Sequence, residues 1–143
     1  MASKTAQSIM TDSPAVCTAD TTAQDAARMM EENDCGSLPV VEGRDSMKLV
    51  GMVTDRDLAI RILGRGQAPS TPVREAMSKN ISSIKVDDDL NDVERVMSSQ
   101  QVRRVPVVDD QGRVVGIVAQ ADLARELGSS KDLGRVVEKI SQP

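Results

Sequence analysis

MTDSPAVCTADTTAQDAARMMEENDCGSLPVVEG, residues 10–43, lies over MSKNISSIKVDDDLNDVERVMSSQQVRRVPVVDD, residues 77–110, at a constant offset of 67. Met10 meets Met77, Asp20 meets Asp87 and Pro39 meets Pro106. The first copy then carries two extra residues in its turn, and the match resumes with VGMVTDRDLA at 50–59 against VGIVAQADLA at 115–124. The chain is therefore a doubled unit of about 55 residues. A unit that small buries too little of its surface to be comfortable alone, so the expectation is that the two copies share a core.

Within each copy the hydrophobic period alternates. AVCT at 15–18 and SSIKV at 82–86 read as short strands. Ala23, Ala26, Ala27 and Met30 then fall at i, i+3, i+4 and i+7, and Leu90, Val93 and Met97 repeat the pattern, as on one face of a helix. Thr22 with Asp25, and Asp89 with Asp92, are residues suited to the free amides and positive end of those helices. LPVVE and VPVVD follow as strands, and short turns lead to KLVGMV and RVVGIV, which predicts hairpins. A second helix is expected over about 55–63 and again over about 120–127.

The fold class is thus α/β (α+β), two pseudo-symmetric β-α-β-β-α repeats, the first spanning 7–64 and the second 72–128. GRGQAPSTP at 64–72 reads as the linker. Pro72 suits the first turn of a short helix, VREAM, that mirrors TAQSIM ahead of the first copy. Residues 129–143 are expected to form a short C-terminal helix or tail that depends on docking.

Composition removes many functions. The chain has 143 residues and no His, which excludes Ser-His-Asp and Cys-His relays and His-ligated zinc, and two isolated Cys do not close a structural zinc site. There is no aromatic residue to stack a base, and 18 Lys and Arg stand against 22 Asp and Glu for a net charge of -4, so nucleic acid is not an expected partner. No apolar run reaches transmembrane length and the first ten residues lack a signal-peptide core, so no membrane is expected and the chain reads as cytoplasmic. Cys17 and Cys35 are expected as reduced, small apolar residues, and the eight Met as core filling in a chain without aromatics. Asp87, Asp88 and Asp89 lack calcium-loop spacing and precede a helix, so no metal is assigned to them.

The chemistry centres on GMVTDRD at 51–57. A strand ending in a hydroxyl residue and turning into a helix places Thr54 and the first free helix amides where a phosphate can be bound. Asp57, one turn on, could accept both hydroxyls of a ribose diol. The same residues also read as an N-cap and a helix-start charge, with no ligand at all.

With LPVV and VPVV on the middle strands and G-h-h-T-x-x-D at the end of the third, the doubled unit resembles the cystathionine-β-synthase (CBS) domain over about residues 7–128. Two such domains in tandem form a Bateman module. The resemblance implies a stand-alone regulatory module, not an enzyme, that takes an adenosyl ligand: AMP, ADP, ATP, S-adenosylmethionine or NAD. It implies that Thr54 contacts ligand phosphate or ribose and that Asp57 holds the ribose hydroxyls. Each cleft of that family combines the two copies, which would set Thr54 and Asp57 facing Arg103 and Arg104, with Asn80, Ile81 and Ser82 lining the base pocket. The counterpart cleft would combine Asp122 with Ser13, Pro14 and Gly36. In it Ala119 stands where the hydroxyl belongs, a loss worth roughly 0.5–1.5 kcal/mol, so the first-copy cleft is expected to be the stronger. Arg103 and Arg104 also read as a strand-edge charge device. The resemblance further implies a homodimer and leaves open an unidentified protein effector. The rival reading is a ligand-independent dimerisation or scaffold module with vestigial clefts.

Overall fold

The computed structural model describes residues 4–100 and 102–127, and the expected C-terminal helix lies outside them. In chain order the strands are β1 (Thr11–Asp12), β2 (Cys17–Thr18), β3 (Ser37–Val41), β4 (Leu49–Thr54), β5 (Ile84–Lys85), β6 (Arg104–Val108) and β7 (Val114–Ala119). The helices are α1 (Ala6–Ile9), α2 (Ala23–Glu32), α3 (Asp55–Asp57), α4 (Leu90–Gln100) and α5 (Gln120–Leu127). Both anticipated caps form: Thr22 Oγ1 accepts from the Asp25 amide at 3.1 Å, and Asp89 Oδ1 from the Asp92 amide at 2.9 Å.

One compact unit is Ala15–Ile81. Its sheet has the order β2-β3-β4, with β2 parallel to β3 and β3 antiparallel to β4. Cys17, Ala26, Leu38, Val40 and Val53 form the centre of its core. The other unit joins the described residues before Ala15 to those after Ile81. Its sheet, ordered β1-β7-β6-β5, repeats the same pairings and adds β1 antiparallel to β7. Ile84, Val93, Met97, Val105 and Val118 lie at its centre.

Each unit has a core of its own. Each is completed by the leader of the other copy. Val73 and Ala76, which precede the second copy, are fully buried among the first copy's residues, and Ala6, which precedes the first copy, is fully buried among the second's. Backbone bonds fix both leaders: Val73 N to Thr21 O at 2.8 Å, and Ala6 N to Asp88 O at 2.8 Å. Met52 and Ser78 exchange a pair of bonds at 3.0 and 2.9 Å, and Thr11 stands opposite Ile117. The compact units therefore exchange leaders relative to the sequence repeats.

Two local expectations change. Pro72 stands at the N-cap of a 3-10 helix, Val73–Glu75, and not in its first turn. Its extended ψ of 149° suits the flanking position, where a proline gives up no helical hydrogen bond. The helix expected over 55–63 is one α turn followed by a π-helical segment, Leu58–Leu63, whereas α5 is regular. The wide turn closes with the Gly64 amide on Ala59 O at 2.8 Å. A side chain at Gly64 would stand 2.6 Å from the Ile60 carbonyl, so the closure depends on glycine.

Candidate functional site

At the end of β4 the chain leaves the sheet and turns into a helix. Thr54 is the N-cap: its Oγ1 accepts from the Asp57 amide at 3.0 Å, while its own amide donates to Asp57 Oδ2 at 3.0 Å. This reciprocal capping box holds the carboxylate rigidly at the strand end. Both residues are half-buried. Asp57 Oδ1 has no hydrogen-bond partner among the described residues. A carboxylate offers about four acceptor positions, so the capping role and diol recognition are compatible at this residue.

The helix amides expected to be free for a phosphate are all engaged. Asp55 N donates to Gly36 O at 2.9 Å, Arg56 N to Asp55 Oδ1 at 2.7 Å, and Asp57 N to the Thr54 hydroxyl. Asp55 also adds negative charge beside Gly36, where a Cβ would stand 3.1 Å from its carboxylate. The turn therefore offers carboxylate acceptor positions and no unengaged amide over residues 55–57.

The second copy keeps half of this device. Ala119 N donates to Asp122 Oδ2 at 2.9 Å, matching the first copy, but no hydroxyl returns a bond to the Asp122 amide. Instead Arg125 Nη2 donates to Asp122 Oδ1 at 2.6 Å. Arg125 was not among the residues singled out from the sequence, although its i+3 spacing from Asp122 carries the signal. The first copy has Ile60 at that place.

Thr54, Asp57, Gly36, Asn80 and Ile81 belong to the 15–81 unit, and Ser13, Pro14, Ser82, Arg103, Arg104 and Asp122 to the other. Within the second unit Arg104 is paired across the sheet with Ala119, and Arg103 O accepts the Gln120 amide at 2.7 Å. These correspond to Ser37 opposite Thr54 and to Gly36 O on Asp55. Arg103 is exposed and Arg104 half-buried, while Asn80 is exposed and Ile81 and Ser82 half-buried. Ser13 is exposed at φ 48°, a left-handed conformation ahead of the half-buried Pro14. Among the described residues no cluster of three or more Cys, Asp or Glu could hold a metal, and no helix is long and apolar enough to cross a membrane.

Comparison with known proteins places these features in a family. The CBS domain model matches residues 6–64 and 73–129. The CBS domain-containing protein YhcV of Bacillus subtilis is 39% identical over 132 residues, covering 92% of this chain and 91% of its own. Among solved structures, the CBS domain pair of protein MJ0100 in complex with 5′-methylthioadenosine and S-adenosyl-L-methionine is 29% identical, with a TM-score of 0.77 over 89% of this chain and 98% of its own. CBSX2 in complex with AMP is 26% identical, with a TM-score of 0.75 over 86% of this chain and 95% of its own. Doubled in sequence and in structure, and matched twice by one domain model, the chain belongs to the CBS-domain family as a tandem pair, a Bateman module.

Proposed function

We propose that the protein is a regulatory module that binds an adenosyl ligand, without catalysing a reaction, and that Asp57 accepts the ligand's ribose diol. The observation that carries this is the Asp57 carboxylate itself: one oxygen is held by the Thr54 amide at 3.0 Å and the other is left for a ligand. The adenosyl ligands of the MJ0100 pair and of CBSX2 support the ligand class. Which of AMP, ADP, ATP, S-adenosylmethionine or NAD is bound is a question for a thermal-shift panel with an extrinsic dye, since a ligand of the native state raises the melting temperature by mass action. Asn80, Ile81, Ser82, Arg103 and Arg104 remain candidates for the base and phosphate, as the resemblance implies, and Ser13, Pro14, Gly36 and Asp122 for a second site.

Adenosine compounds should raise the melting temperature more than guanosine compounds or inorganic phosphate, and Asp57→Ala should abolish most of that shift. Equal shifts with AMP, GMP and phosphate would reduce the site to a nonspecific anion effect. A ligand-independent scaffold is the second reading, favoured by Ile60 and Leu63, which are 51% and 77% exposed on the π-helical segment. Both readings include a homodimer, which light scattering behind a sizing column should report as about twice 15.3 kDa.

A further inference from the structure

The two carboxylates at the strand ends are anchored alike and differ in their second oxygen. Thr54 N to Asp57 Oδ2 is 3.0 Å, and Ala119 N to Asp122 Oδ2 is 2.9 Å, so each acid is set the same way on its own sheet. Asp122 Oδ1 then receives the Arg125 guanidinium at 2.6 Å. At the corresponding place Ile60 has nothing to donate. The Asp122 side chain is 14% exposed and that of Arg125 72% exposed. Of a carboxylate's roughly four acceptor positions the Ala119 amide and the guanidinium each take one, so a ribose diol would need both of those left at Asp122, beside a charged donor, whereas Asp57 keeps one oxygen wholly open.

We propose that Arg125 is a specificity-determining residue of the second repeat: by holding Asp122 it makes that carboxylate the poorer ribose acceptor and leaves the module with two unequal sites. This rests on the diol-acceptor reading of the preceding subsection. An exposed ion pair of this kind is worth little, so its release should tighten binding at the second repeat by roughly two- to fivefold.

Adenosine is the probe, because it is uncharged and long-range attraction by Arg125 does not enter. Binding is read by NMR from the amides of Thr54 and Asp57 for the first repeat and of Ala119 and Asp122 for the second, in the full chain and in Arg125→Ile. The expected result is a two- to fivefold tighter response at Ala119 and Asp122 in the variant, unchanged binding at Thr54 and Asp57, and no gain with 2′,3′-dideoxyadenosine. If adenosine moves the Thr54 and Asp57 amides while Arg125→Ile leaves the second repeat unchanged or weaker, the role of Arg125 is overturned and the diol-acceptor reading stands. If neither adenosine, AMP nor S-adenosylmethionine moves any of the four amides, in the parent or the variant, the diol-acceptor reading falls and takes the role of Arg125 with it.

Discussion

Thr54 and Ala119 stand at equivalent strand ends, and the hydroxyl between them decides whether the following helix is capped. Removing it in Thr54→Ala leaves the Asp57 amide without its acceptor, which should lower stability by about 1 kcal/mol. The reverse change, Ala119→Thr, should raise stability by up to about 1 kcal/mol, because Asp122 Oδ2 is already bonded to the Ala119 amide and only the return bond is missing. Denaturant titrations followed by far-UV circular dichroism would measure both, and equal stabilities for all three proteins would contradict the cap. A second residue sets a pH limit. Burial pushes the Cys17 thiol up to about 11 from 9.0, with Arg44 acting against the rise. The folded state holds that proton more tightly than the unfolded chain, so the contribution is complete below pH 9 and is lost as pH rises to about 11. Stability should fall by at most roughly 2–3 kcal/mol over that window, and the part of the slope due to Cys17 should vanish in Cys17→Ala.

At the scale of elements, β4 and β7 each carry a glycine where a leader passes. A Cβ at Gly51 would stand 2.8 Å from the Ser78 carbonyl, a backbone atom fixed by the Met52 bonds. One at Gly116 would instead run into the Met10 side chain, whose Sδ and Cγ can turn aside and whose Cβ, 3.1 Å away, must give by a few tenths of an ångström. Gly51→Ala should therefore cost more than Gly116→Ala, about 1–3 kcal/mol against less than that, as melting curves would show. The strands, hairpins and main helices were legible because period 2 and period 3.6 alternate cleanly in both copies. The exchange of leaders was not, because an amphipathic segment states which face it buries and not against which sheet. VGMV and VGIV are nearly the same surface, so VREAM and TAQSIM fit either copy by pattern alone. LAIRIL likewise reads as an ordinary helix, and the π-helical turn shows only in the backbone bonds around Gly64. At the site, the Thr54 and Asp57 pairing was legible from spacing, while the engaged amides were not: of their acceptors, Gly36 O lies in no motif and Asp55 fills an unspecified position of G-h-h-T-x-x-D.

For the whole molecule, the repeat seen in the sequence and the unit that folds are different objects. A fragment spanning 15–81 contains Val73 and Ala76, whereas one spanning 7–64 has neither and leaves a gap in the core they fill. The first should melt cooperatively and the second should be poorly helical or melt far lower, as circular dichroism would show; the opposite order would contradict the exchange. The same geometry governs the order in which the chain becomes structured during synthesis. Thr11 must wait for Ile117, its partner across the sheet and 106 residues downstream, which at ribosomal speeds is roughly 5–20 s. The inner unit is complete before then. Residues 6–12, made before their sheet partner exists, thus wait for β7 to find their place, and until then the apolar Ala6 and Ile9 are what a chaperone would meet.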